Sequence, residues 1–185
     1  MHKLIEPPAE EPVTLQEVQA HLRLESGEDN YVAGLIVAAR RHCEAFQGRA
    51  YVTQTWELYL DAFPGGCIKC PLPPLQSVTF IKYRDSSGVL QTLDQSAYIV
   101  DAYSEPAPVF RAYGESWPST YPEANAVQIR FVAGYGAASD VPSEIKQAIL
   151  LKIADLYENR GDEQSGKRME EAVESLLWPE RIVPV

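Results

Sequence analysis

Apolar residues along this 185-residue chain recur first at helical spacing, then at strand spacing, then at helical spacing again. In "TLQEVQAHLRL", Leu15, Val18 and Leu22 make one stripe of a short helix. Thr14 and Glu17 form a capping box ahead of it: the threonine hydroxyl can accept from the amide of Glu17, and the Glu17 carboxylate can reach back to the amide of Thr14. After "ESGEDN", Glu28 and Asp29 suit the positive end of a second helix. Val32, Leu35, Ile36, Ala39, Cys43 and Phe46 carry that helix to about Gln47, and Gly48 is its left-handed stop.

The period changes after Gly48. "AYVTQTWELYL" alternates and is rich in β-branched and aromatic residues, which predicts a strand. "CIKCPLPPL" reads as extended, and "SVTFIKYRDSSGVLQTLD" as a hairpin turning at residues 85–88. "SAYIVDAYSEPAPVFRAYG" reads as a second hairpin broken at Pro106, "GESWPSTYPEA" as a loop, and "NAVQIRFVAGYG" as a closing strand.

Helical spacing returns at residues 143–158, with Pro142 near the start, where a missing N–H is harmless. Ile145, Ile149, Ile153 and Leu156 line one side, and Leu150, Ala154 and Tyr157 widen it to roughly half the circumference. Leu151 falls among the polar residues Glu144, Gln147, Asp155 and Glu158. A last helix from about Lys167 offers Met169, Val173, Leu176 and Leu177, and Trp178-Pro179 ends it.

These elements predict an α+β protein: two N-terminal and two C-terminal helices forming a helical lobe, with a β-rich insert between them. The expected divisions are an extended, weakly ordered arm over 1–13, a helical lobe from 14–48 plus 139–178, the insert over 49–138 and a tail over 179–185.

Charge narrows the partners. With 26 acidic and 16 basic residues the formal net charge is −10, which disfavours gripping a nucleic-acid backbone. It is compatible with letting DNA pass, since like charge repels. No apolar run approaches the roughly 20 residues of a membrane-spanning helix, and the first dozen residues do not read as a signal peptide. A chain made in the cytoplasm is expected, with no membrane partner. The three cysteines, Cys43, Cys67 and Cys70, show no disulfide framework.

Candidate chemistry is sparse. Cys67 and Cys70 form a CxxC, and His42 adjoins Cys43, but a structural zinc needs four convergent ligands. Adjacent helix residues point about 100° apart, and residues i and i+3 of a strand face opposite ways. No metal or other cofactor is expected. Without GxSxG, P-loop, HExxH or GxGxxG patterns, neither is an enzyme. Tyr51, Trp56, Tyr59, Tyr83, Tyr98 and Tyr103 could line a ligand strip on the insert, or be core and cross-strand pairs.

The wide third helix has two readings. Either it sits between the other helices, or part of its surface meets a second copy of the chain, with Ile149, Leu150, Leu151 and Tyr157 as contacts; the second is favoured. The tail "RIVPV" is a short β-prone end that could add to another protein's sheet or simply fray.

"KLIEPPAEEPVTLQEVQAHLRL", "GRAYVTQTWELYLDAFP", "PLPPLQSV", "RFVAGYG" and "VPSEIKQAILLKIADLYENRG" together resemble head–tail connector proteins (also called head-completion or adaptor proteins) of tailed bacteriophages, prophages and gene transfer agents. The resemblance spans residues 3–160. It implies a ring of about a dozen copies beneath the portal protein, extending the DNA channel and offering an attachment site to a tail-side stopper or tail-completion protein. It implies no enzymatic activity, a place at the head–tail junction of a virion or phage-like particle, and DNA that passes without specific binding. By analogy with adaptor rings, Trp178, Arg181, Ile182, Val183 and Val185 are the expected portal-docking residues, Trp178 as an apolar anchor and Ile182 with Val183 as an added strand. Glu158, Asp162 and Glu163 are the expected channel lining. The alternative function is a β-domain module that binds a ligand or protein through the insert's aromatics.

Overall fold

The computed structural model describes residues 1–24, 28–159 and 167–183. The chain divides into a β unit, Met1–Ala9 with Thr53–Tyr135, and a helical unit, Glu10–Val52 with Gly136–Val185.

The β unit is built around β8 (Val127–Ala133). Its buried and half-buried residues alternate without a break, so one face is core and the other meets solvent. β2 (Gln54–Leu60) and β4 (Leu75–Arg84) flank it, both antiparallel, and Phe131 stands between Trp56 and Val78 in register. β1 (His2–Glu6) and β5 (Leu90–Thr92) complete a five-stranded sheet of order β1-β2-β8-β4-β5. A second sheet holds β3 (Ile68–Cys70), β7 (Ala107–Arg111) and β6 (Tyr98–Val100), in that order.

Both expected hairpins form. The first turns on Asp85, whose carboxylate accepts from the amides of Ser87 and Val89, with Gly88 at φ 80°. The second pairs β6 with β7, and the Glu105-Pro106 peptide between them is cis.

Two boundaries differ from expectation. The N-terminal residues, expected as a weakly ordered arm, form strand β1 along the free edge of β2, with His2 opposite Leu58. Pro7 and Pro8 fall just past that strand, where they remove no ladder donor. The strand expected from Ala50 starts only at Gln54. Ala50, Tyr51 and Val52 are instead buried in the helical unit, because their alternation serves a crossing segment rather than a ladder.

In the helical unit, α1 (Leu15–Leu22) carries the capping box in full and α2 (Asp29–Gln47) ends at Gly48, φ 69°. α3 (Ser143–Glu158) packs against α1, α2 and α4 (Lys167–Leu177). Three neighbours account for the breadth of its apolar side, which leaves no large apolar residue of α3 strongly exposed. Even part of its polar side is covered, since Lys152 and Asp155 are buried as an ion pair at 3.0 Å.

The end of α2 holds a buried polar cluster. Arg40 pairs with Glu11 and Glu44, each at 2.7 Å, and Glu44 also accepts from the amide of Tyr51 at 3.0 Å. The Gln47 side chain accepts from the Tyr51 hydroxyl at 2.8 Å and donates to the Leu177 carbonyl at 2.7 Å. The backbone carbonyl of Gln47 accepts from the amide of Ile182 at 2.8 Å. Replacing Gln47 with Ala leaves the Tyr51 hydroxyl and the Leu177 carbonyl buried without this partner, at about 1–3 kcal/mol per group. We predict that Gln47→Ala lowers the stability of the helical signal in urea by at least ~2 kcal/mol; a loss under ~0.5 kcal/mol, the size of an ordinary surface effect, would refute this role.

Candidate functional site

The expected docking residues at the C-terminus lie on the end of α2. Leu177 is fully buried, and the chain then makes a single 3₁₀ turn over Trp178–Glu180. The Arg49 side chain donates to the Glu180 carbonyl at 2.5 Å, which fixes the turn. Trp178 projects from it at 60% exposure. The Arg181 guanidinium sits over the Phe46 ring at 4.5 Å and over the Trp178 ring at 5.2 Å, a cation–π arrangement that holds the indole in place. Val183 is exposed, and Val185 lies outside the described residues. Within the single chain, residues 181–183 are neither helix nor strand, and the Ile182 amide donates to the Gln47 carbonyl.

The expected subunit-contact residues on α3 separate. Ile149 is fully buried among this chain's own helices, so it is core and has no surface left for a neighbour. Leu150, Leu151 and Tyr157 are half-buried. The Tyr157 hydroxyl donates to Glu28 at 2.8 Å, and its ring lies 6.1 Å from that of Tyr31. Of the expected channel-lining residues, Glu158 is exposed at the end of α3. Asp162 and Glu163 lie outside the described residues.

Charge is unevenly shared. Counted over the two units, the helical unit carries 17 acidic residues against 10 basic, and the β unit 9 against 6. Most of the net negative charge therefore belongs to the helical unit.

All three cysteines are free thiols, Cys43 and Cys70 buried and Cys67 half-buried. Burial pushes the thiols of Cys43 and Cys70 up to about 12, so both stay protonated at neutral pH. His42 is held below its ordinary value, first by burial and then by Lys152, against the opposing pull of Glu170, Glu174 and Asp155. Among the described residues no group of three or more His, Cys, Asp or Glu is placed to hold a metal ion.

The six aromatics considered for a ligand strip do not form one. Tyr51 is core of the helical unit, Tyr98 is buried in β6, and Tyr103 is fully exposed in a loop. Trp56 stands against Phe131 on the core face of β2, whereas Tyr59 points to the opposite face beside Glu57. An aromatic cluster does exist elsewhere: Phe63 stacks on Trp117 at 5.0 Å and meets Tyr83 edge-on at 5.6 Å. Phe63 and Trp117 come from loops, where no periodicity marks them. An open hollow of about 490 Å³ lies on the same unit, lined by Asp61, Ala62 and residues 120–124. Its two carboxylates are engaged, Asp61 by the amide of Asn125 and Glu123 by Arg84.

A second feature missed by the sequence reading is a set of exposed apolar side chains on the β unit: Val89, Leu90, Ile99, Phe110 and Tyr121. The signal was present, since Ile99 and Phe110 occupy the outward phase of strands whose inward phase, Tyr98 and Val109, is also apolar.

Across β2 and β8, Glu57 and Arg130 are directly opposed and ion-paired. Burial opposes ionisation of Glu57, but hydrogen bonds from Tyr59, Arg130 and Gln128 outweigh it and hold the carboxyl below its usual 4.5. A depressed acid contributes stability above its unfolded value and loses that contribution as pH falls through its folded value. Glu57→Gln should therefore be less stable than the parent at pH 7, by about 1–3 kcal/mol for a charged hydrogen-bonded group. The gap should close toward pH 3, measured as the difference in urea midpoints. A gap of equal size at both pH values would contradict the ion-pair account.

The whole chain has close structural counterparts. It is similar to a chain from the neck of an empty gene transfer agent particle computed with C6 symmetry, at 27% identity and a TM-score of 0.84, covering 100% of this chain and 97% of that one. A chain from the virion of a native gene transfer agent particle is similar at 26% identity with the same TM-score and coverage. A chain from the neck of a native particle, computed with C12 symmetry, is similar at 27% identity and a TM-score of 0.68, covering 99% and 97%. No protein-family profile matches the sequence, and no characterised protein matches it by sequence comparison. Over its full length, the chain shares its fold with proteins of the gene transfer agent neck.

Proposed function

We propose that this chain is a structural head–tail component of a phage-like particle, acting as a connector (adaptor) subunit. Copies form a ring beneath the portal protein, extend the DNA channel and present the attachment site for a tail-side stopper or tail-completion protein. The observation that carries this reading is the full-length similarity, at a TM-score of 0.84, to chains of the gene transfer agent neck and virion.

Rotational symmetry in the similar neck structures, C6 and C12, supports a ring of about a dozen copies. A ring requires each copy to offer two different surfaces, one to each neighbour. The excess of acidic residues in the helical unit, Glu158 among them, suits a channel wall that does not hold passing DNA. Trp178 is the natural anchor for the portal: large, aromatic and 60% exposed, yet fixed by the Arg181 guanidinium, so little side-chain freedom is lost on docking. Arg181 and Val183 flank it, and docking here uses the face of the turn rather than strand addition. The dispersal of the insert's aromatics removes the main support for a ligand-binding module.

Removing the gene from its source should yield DNA-filled heads and free tails that fail to join, as seen by electron microscopy. Restoring it with Trp178→Ala should give a folded chain recovered on heads at least tenfold less than the parent. Tailed particles lacking the chain would overturn the connector reading; full recovery of Trp178→Ala would overturn the docking assignment alone.

A further inference from the structure

A ring subunit needs two unlike patches, and α3, whose breadth is taken up by its own neighbours, is not the obvious source of either. Among the described residues of the helical unit, the exposed large apolar side chains are Tyr31, Val37, Trp178 and Val183. The last two belong to the docking turn. The β unit offers two patches of a different kind, each on ordered backbone.

The first is the outward face of the three-stranded sheet. Ile99 and Phe110 are directly opposite in the ladder between β6 and β7, at 58% and 46% exposure. Opposed side chains on one face touch, so these two form one continuous apolar surface. Pro108 continues it along β7, and Lys69, opposite Pro108, borders it. The strands cannot turn over to hide it, because their other face, Tyr98 and Val109, is already buried. β6 is also an edge of its sheet.

The second is the tip of the hairpin between β4 and β5. Val89 and Leu90 are 54% and 53% exposed there, on a turn fixed by Asp85 and by the Arg84 guanidinium, which donates to the Gly88 carbonyl at 3.0 Å. Tyr121 lies against Gly88, held by its amide donating to the Arg84 carbonyl at 3.0 Å. Arg84, Asp85 and Glu123 ring these apolar residues with charge, and an apolar centre inside a polar rim is the anatomy of a protein contact.

We propose that the Ile99 and Phe110 face of one copy seats against the Val89, Leu90 and Tyr121 tip of the next copy around the ring. The occupant is a second copy because the similar chains come from rotationally symmetric particles, and closing a ring takes two different patches on the same molecule. A portal or tail protein would need only one. This inference rests on the ring reading above.

The test places the photo-crosslinking residue p-benzoylphenylalanine at position 110 of the full chain, supplied in place of the native copy. Particles are purified, checked for the chain, and irradiated. The expected result is a covalent dimer of this chain, with the link mapped by mass spectrometry to residues 84–93 or to Tyr121. Position 99 provides a second site, expected to give the same dimer, if the change at 110 blocks incorporation. Linkage to a different protein, to another part of this chain, or no linkage in particles that contain it, overturns the proposed contact while leaving the ring standing. Parent chain absent from the particles overturns the ring, and the contact with it.

Discussion

A side-chain amide buried in apolar surroundings must satisfy its donors and its acceptor, and Gln47, at 1% exposure, does so with groups far apart in sequence. Through it the end of α2 is tied to Tyr51, which leads toward the β unit, and to Leu177 and Ile182, which begin the C-terminal segment. The neighbouring pairs of Arg40 with Glu11 and Glu44 draw in the segment before α1. Fixing these groups decides where the Trp178 turn sits and how firmly Trp178 is presented. The proposed attachment point is thus a consequence of the core of the helical unit, rather than a loose appendage to it.

The same logic separates structural polar groups from functional ones. Lys152 with Asp155 and Glu57 with Arg130 are charged groups whose partners lie within the chain. Burial keeps the thiols of Cys43 and Cys70 protonated at neutral pH. Among the described residues, exposed apolar side chains include Trp178, Ile99 with Phe110, and Val89 with Leu90 at the hairpin tip.

Local signals were legible in the sequence, and long-range ones were not. The capping box of Thr14 and Glu17, the stop at Gly48 and the Asp85 turn each depend on residues within a few positions, and all three appear as expected. β1 was missed because its stability comes from the edge of β2, some fifty residues on. The breadth of α3 was visible, but an apolar stripe records how much surface is covered, not by what. Three of the chain's own helices supply the cover, which turned Ile149 from a contact into core. Nothing local to the tail reveals that the Ile182 amide donates to the carbonyl of Gln47, 135 residues earlier.

We propose this chain as a stoichiometric ring component of the neck. The most direct test is isotope-dilution mass spectrometry on particles purified from the source, counting this chain against the portal protein. A ratio near one to one, about a dozen copies per particle, is expected. Absence of the chain from mature particles, or a copy number far from that of the portal, would contradict it.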